Sequence, residues 1–256
     1  MLATKMLLEA VTVCVNYADF LEETILLNLP QIDLWTIVTT PEDTQTQKLC
    51  ARYGLRCLKT DCFYRDVERP RINKSRGINY ALAHHSHSGW MLHLDADIIL
   101  PPQFRRMIEN AELDPGCIYG MDRVNCSGVD TWDAFRRAPE LQYEWSCLVK
   151  PPLGMALGAR ISHGDYGGYC PIGFFQLWNP GASGINRYPT LVEGDAEHTD
   201  VLFAIQWPRS KRHLLPEGFC VHLQSSDDFG ANWNGRKTPA FRGGAQPYYG
   251  PKYVAY

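Results

Sequence analysis

Three things are missing from this sequence, and each removes a class of protein. No apolar run approaches the roughly 20 residues that a membrane-spanning helix needs; the longest, Trp90 to Pro102, is broken by His93, Asp95 and Asp97. No Cys-x-x-Cys pair occurs among the nine cysteines, which argues against a zinc ribbon. Their odd number and scatter, with Cys14 and Cys220 inside apolar runs, suit free thiols in a reducing compartment. The opening stretch, Met1 to Ala10, has one lysine and a brief Met-Leu-Leu run, without the charged, extended apolar and small-residue regions of a secretory signal. A soluble, cytoplasmic protein without a membrane span is expected, in the host cytoplasm if the chain is viral. Repeats and low-complexity tracts are absent as well, and a net charge of -3 gives no overall pull toward nucleic acid.

What is present is an ordinary globular composition, 45% hydrophobic and 21% charged over 256 residues, enough for one sizeable core. Val11 to Val15 is a β-branched strand run, and Phe20, Ile25, Leu26 and Leu29 then recur at helical spacing. The unit repeats: Leu34 to Val38 predicts a strand and Thr44 to Tyr53 a helix closed by Gly54, with an N-cap among the turn residues before it. Leu55 to Leu58 is a short third strand, Asn73 to His85 a helix, and Trp90 to Leu94 a strand ending on Asp95. Such alternation implies a mainly parallel sheet covered on both faces. Farther on, Pro101 to Glu112 and Glu197 to Trp207 read as helices, and Cys117 to Met121 and Phe219 to Leu223 as strands. From Gln224 onward an irregular tail rich in Gly, Asn, Pro and Tyr follows.

Ligands of open parallel sheets bind at the carboxyl ends of strands, where Asp95 and Asp97 stand. Strand alternation would turn positions i and i+2 to the same side, making a hard-cation site to which a substrate's phosphate oxygens would add ligands. A solvated turn is the plain alternative, but the pair follows Trp-Met-Leu-His-Leu without a polar spacer, where an unpaired carboxylate is costly to bury.

Leu94-Asp95-Ala96-Asp97-Ile98 resembles the Asp-x-Asp segment of GT-A glycosyltransferases, especially the large inverting family 2. The resemblance covers residues 11 to 122 well and the remainder loosely. It implies an α/β fold of the GT-A (Rossmann-like) class in a single domain: a nucleotide-sugar-binding half to residue 122, an acceptor-side half to 223, and a C-terminal loop and tail closing over the donor. It further implies donor contacts from Val15, Asn16, Tyr17, Thr39, Thr40 and Asp43, from Lys74, Arg76 and Asn79 on the helix before the motif, and from Asp95 and Ala96. A UDP-sugar is the implied donor. The metal, Mn2+ or Mg2+, would be held by Asp95, Asp97 and His222, the histidine that ends Cys220-Val221-His222-Leu223. Trp233, Arg236 and Lys237 would close over the diphosphate, Arg236 or Lys237 offsetting its charge. Glu197-His198-Thr199-Asp200 resembles the acidic start of the acceptor-side helix, with His198 where the family has aspartate; the base is then Glu197, His198 or Asp200.

Gly167, Gly168, Phe174 and Gln176 are sugar or acceptor candidates, since glycine beside aromatics permits close approach to a ring. The acceptor is open: a glycan, a protein, a small molecule or a hydroxymethylated viral DNA base. The DNA option rests on Arg105-Arg106, Arg136-Arg137 and the basic segment Arg209 to Arg212. Competing readings are a non-catalytic carbohydrate- or nucleic-acid-binding module, a phosphotransferase, whose aspartate pair belongs on the first strand, and a nucleotidylyltransferase, whose opening glycine loop residues 11 to 20 lack.

Overall fold

The computed structural model describes residues 6–65, 71–138, 151, 154–158, 160–163, 166–190, 196–225, 236 and 239–243. Its strands are β1 (Leu8–Val13), β2 (Leu34–Thr39), β3 (Arg56–Lys59), β4 (Trp90–Leu94), β5 (Ile98–Ile99), β6 (Ile118–Ser127), β7 (Met155–Leu157), β8 (Ile161–His163), β9 (Gly168–Cys170), β10 (Phe175–Trp178) and β11 (Arg212–Gln224). The helices are α1 (Ala18–Asn28), α2 (Thr44–Tyr53), α3 (Lys74–Leu82), α4 (Phe104–Asn110), α5 (Val129–Arg137), α6 (Pro180–Ser183) and α7 (Ala196–Ala204).

One sheet runs in the order β3-β2-β1-β4-β10-β6-β11-β5, with β7 added to β6, and β8 and β9 form a separate hairpin. Strands β3, β2, β1 and β4 are mutually parallel. The strand β10 is antiparallel to both β4 and β6, and β11 is parallel to β6, so the direction of the first half is regained in the second. This is the α/β architecture, a mainly parallel central sheet flanked by helices, expected from the sequence. Both faces are covered. Leu8, Ala10, Leu92, Leu94, Phe175 and Leu177 pack against Leu21 and Ile25 of α1, Leu49 and Cys50 of α2 and Phe104 of α4. Val11, Met91 and Trp178 face Ile78, Ala81 and Leu82 of α3 and Val201 and Phe203 of α7. A strand buried on both sides needs apolar residues at odd and even positions, which is why β4 reads as a continuous run.

Local chemistry sets the boundaries. Asp43 caps α2 by accepting the Thr46 N–H, and Gly54, at φ +66°, closes it in the left-handed region that glycine enters without a Cβ penalty. Asn73 caps α3 through the Arg76 N–H. The first strand lies earlier than its β-branched run suggests, because Glu9 is accommodated inside it: its carboxylate accepts from Ser86 Oγ at 3.0 Å and lies 3.2 Å from His85 Nδ1. The strands β6 and β11 extend well beyond the short apolar cores seen in the sequence, pairing in parallel with a register shift between Leu214 and Phe219.

Candidate active site

The chain runs outward from β1 to β3 and returns to lay β4 on the other side of β1, so a crevice opens at the carboxyl ends of β1 and β4. The β1 end is built around Asp43. One oxygen of its carboxylate accepts from Asn16 N at 2.8 Å, Thr39 Oγ1 at 2.9 Å and Thr46 Oγ1 at 2.7 Å, and the other from Thr46 N at 3.1 Å. That anchoring holds Asn16 at φ +56°. Asp43 and Thr39 thus shape the proposed nucleoside edge, with Thr40 tied in through its carbonyl by Gln47 Nε2 at 3.0 Å. Val15 flanks the α3 side of the core, and the Tyr17 ring stacks on Phe20 at 4.6 Å.

At the β4 end the expectation from strand alternation is corrected. The strand stops at Leu94, and a turn closed by Ile98 N–H to Asp95 O at 3.3 Å carries the aspartates. They therefore diverge. Lys74 Nζ lies 2.5 Å from Asp95 Oδ1, while Asp97 Oδ2 faces His222 Nε2 at 3.4 Å. The Ala96 carbonyl between them accepts from Thr24 Oγ1 at 3.0 Å. The other imidazole nitrogen of His222 contacts Asn125 Oδ1 at 3.2 Å, fixing the ring. Burial pushes the Asp97 carboxyl up, but the charge and hydrogen bond of His222, with Lys74 beyond, outweigh it and hold it below its ordinary value. Among the described residues no other residue donates to Asp97 Oδ1, a buried atom.

Among the described residues no three His, Cys, Asp or Glu side chains meet as a ligand group. The expected trio of Asp95, Asp97 and His222 is thus not assembled; the fold brings Asp97 and His222 together, and Asp95 is engaged by Lys74. A buried carboxylate oxygen lacking a donor, next to an imidazole, still fits a hard divalent cation, which takes one or two carboxylates and fills its remaining positions with water and phosphate oxygens.

A buried polar chain joins this point to α7. Tyr188 Oη donates to Gln176 Oε1 at 2.5 Å and lies 3.2 Å from His93 Nδ1. Gln176 Nε2 donates to the carbonyls of Pro171 and Asp200, each at 2.9 Å. Burial, then the charge of Lys74, pushes His93 down to about 3, so its imidazole is neutral at 3.6 Å from Asp95. Asp200 accepts from Gly173 N–H at 2.5 Å and Val201 N–H at 2.8 Å, and burial raises its carboxyl. Phe174 is drawn in through its carbonyl, which accepts the Asp95 N–H at 3.1 Å. The side chains of Glu197 and His198 lie outside the described residues.

Other expected residues have different employment. Asn79 clamps the Tyr188 backbone, donating to its carbonyl at 2.9 Å and accepting its N–H at 2.8 Å. Arg76 stands in the first turn of α3 beside Lys74. Arg236 was expected over a diphosphate; instead its side chain, 1% exposed, grips Asp19 at 2.5 and 2.8 Å and stacks on Tyr17 and Phe20. Trp233 and Lys237 lie outside the described residues. Gly167 and Gly168, at the start of β9, lie against Arg212 and Arg209 at the start of β11. Part of the proposed DNA track is engaged internally: Arg105 pairs with Asp33 and Glu109, Arg136 with Asp133, and Arg212 binds the Tyr166 carbonyl. Among the described residues no helix is long and apolar enough to cross a membrane.

Sequence reasoning missed Arg123 on β6, which lies near Asp97, Asp95 and Asp200; their charges favour its cationic form, while burial, the larger effect, pulls it down. The available signal was the apolar alternation resuming at Val124 and Cys126 after Asp122-Arg123.

No protein-family model matches the chain, and no curated protein does. Solved structures similar to it include glucosyl-3-phosphoglycerate synthase from Mycobacterium tuberculosis in complex with UDP, 14% identical at a TM-score of 0.48, with 88% of this chain and 73% of that one covered. The same synthase with Mn2+, UDP-glucose and phosphoglyceric acid gives 14% and 0.45, covering 85% and 71%. A 4-diphosphocytidyl-2C-methyl-D-erythritol synthase gives 17% and 0.45, covering 84% and 90%. The chain spans 66% of the length of a further mycobacterial protein, at 14% identity and a TM-score of 0.45. At these identities and TM-scores, function has to be argued from the chemistry of the site itself.

Proposed function

We propose that the chain is a metal-dependent glycosyltransferase that moves a sugar from a nucleotide diphosphate sugar, a UDP-sugar by resemblance, to an acceptor hydroxyl. The observation that carries this reading is the Asp97–His222 pair, with its unmatched buried oxygen, at the carboxyl edge of the sheet beside the β1/β4 crevice. Mn2+ or Mg2+ held there by Asp97 and His222 would offset charge on the departing diphosphate. Lys74 stands at the same edge and supplies a cation to the phosphate oxygens. The turn held by Asp43 would receive the nucleoside.

In the transfer, the acceptor oxygen bonds to the anomeric carbon as the bond from that carbon to the diphosphate breaks, and a base takes the hydroxyl proton. Of Glu197, His198 and Asp200, we favour Asp200. Its raised carboxyl accepts from the Gly173 and Val201 N–H groups, and its backbone carbonyl begins the Gln176–Tyr188–His93 chain that ends beside Asp95. That chain ties the start of α7 to the Asp95 side of the site.

Calorimetry with UDP in the presence and absence of Mn2+, with release of UDP from UDP-sugars as the activity readout, tests the reading. Metal should strengthen UDP binding, and Asp97→Asn should remove that gain and reduce turnover by about a hundredfold, the scale of losing a transition-state charge contact. Equal UDP binding with and without metal, or an Asp97→Asn protein as active as the parent, would sink it.

A further inference from the structure

Next to the catalytic edge lies a second feature that the donor reading does not use. Arg123 lines a small open pocket together with Asp122, Arg160, Tyr169, Cys170 and Phe174. Its guanidinium sits 4.7 Å above the Phe174 ring. On another side the chain passes at Gly158, where a Cβ would fall 2.5 Å from Arg123 Cγ and 2.8 Å from its Nε, so only glycine leaves the side chain its place. The Gly158 N–H also donates to the Arg123 carbonyl at 2.9 Å. The arginine is thus positioned by the fold.

It is nevertheless unmatched. The Nε is buried without an acceptor, and among the described residues no hydrogen bond or ion pair uses the side chain; Asp95, Asp97 and Asp200 act on it only at longer range. Its neighbour differs: Arg160 binds Asp122 through Nε to Oδ1 at 2.6 Å and Nη2 to Oδ2, so that pair is neutral. What remains in the pocket lining is one net positive charge with a planar donor fork. A fork of this kind matches a carboxylate or phosphate.

We propose that Arg123, backed by Phe174 and rimmed by the Arg160–Asp122 pair, binds the oxyanion of an acidic acceptor, a phosphate or carboxylate carried by the molecule that receives the sugar. The location assigns it to the acceptor: β10 separates β4 from β6 in the sheet, so the pocket lies across β10 from the β1/β4 crevice, while Phe174 links it to Asp95 through one backbone hydrogen bond. The assignment to an acceptor rests on the transferase reading; the oxyanion site itself does not.

Inorganic phosphate is the probe, titrated calorimetrically into the protein with and without saturating UDP and Mg2+. Phosphate should bind in both conditions, and Arg123→Gln should weaken it about tenfold to a hundredfold, the range for one charge-assisted contact, while UDP affinity stays within about twofold. Arg160→Gln, an exposed substitution that uncovers the Asp122 carboxylate, should weaken phosphate as well, and it decides alone if Arg123→Gln does not fold. Unchanged phosphate affinity in the folded variants overturns the site. Displacement of phosphate by UDP, with UDP weakened by Arg123→Gln, overturns the acceptor assignment and gives the arginine to the donor's diphosphate. A protein that binds phosphate through Arg123 but binds no UDP under any metal condition refutes the transferase reading and leaves the oxyanion site standing.

Discussion

Replacing Asp43 with alanine removes the acceptor that joins β1, β2 and α2 at the proposed donor edge. Four hydrogen bonds end on this carboxylate, from Asn16 N, Thr39 Oγ1, Thr46 N and Thr46 Oγ1. Loss of the helix cap alone costs about 0.5–2 kcal/mol, and each buried donor left without an acceptor about 1–3 kcal/mol. The sum is not fully realised. Thr46 Oγ1 already contacts Cys14 Sγ at 3.4 Å, hydroxyls can rotate, and Asn16 sits in a half-exposed turn that water reaches. About 3 kcal/mol is the expected loss, with a fall in Tm of about 6–12 °C for a chain of this size. In urea the midpoint should drop with the m-value unchanged, since the surface exposed on unfolding is the same. Asp43→Asn, which keeps one acceptor, should recover part of the loss. UDP affinity should fall in the alanine variant even well below its Tm, because Asn16 at φ +56° loses its anchor. A loss under about 1 kcal/mol would refute the view that Asp43 organises the turn.

Two further outcomes follow from the same geometry. Arg236→Ala leaves Asp19 half-buried without its cation and should cost about 3–5 kcal/mol, the range for breaking a buried pair; limited proteolysis should then cut the C-terminal segment sooner, and equal cleavage rates in parent and variant would count against the clasp. Asp200 is raised by burial, so the folded state keeps its proton to higher pH than the unfolded chain and stability declines as pH rises from the ordinary carboxylate value through the raised one. Asp200→Asn should flatten that part of the stability profile while lowering UDP release from UDP-sugars, and an unchanged slope in folded variant protein would refute the assignment.

How much of this was visible in the sequence depended on whether a signal was local. The helix α2 appears with the expected limits because its cap, Asp43, and its closing residue, Gly54, lie within the segment, and β4 because burial on both faces makes every position apolar. The strand β1 was misplaced by Glu9, whose partners Ser86 and His85 lie far along the chain. The same cause shortened β6 and β11. Their extensions contain Arg123 and Asn125 in β6 and Arg212 and His213 in β11, polar residues that break the apolar pattern until β11 is laid beside β6, with Arg212 opposite Ile118 and His222 opposite Asn125.

The aspartate pair shows the limit from the other side. Residue types at the edge were legible, but their directions were not, since a turn after Leu94 sends Asp95 to Lys74 and Asp97 to His222. Arg236 reads as a phosphate ligand until Asp19, 217 positions away, is seen to hold it. Arg123 is the converse, a charge that looked like the end of a strand and proves to be enclosed without a bonded anion. A half-buried cation is costly to keep unless something pairs with it. Among the described residues, ion pairs hold Arg105, Arg136, Arg236 and Arg242, whereas none holds Arg123, and a bound anion would supply at contact what Asp95, Asp97 and Asp200 give it only at longer range.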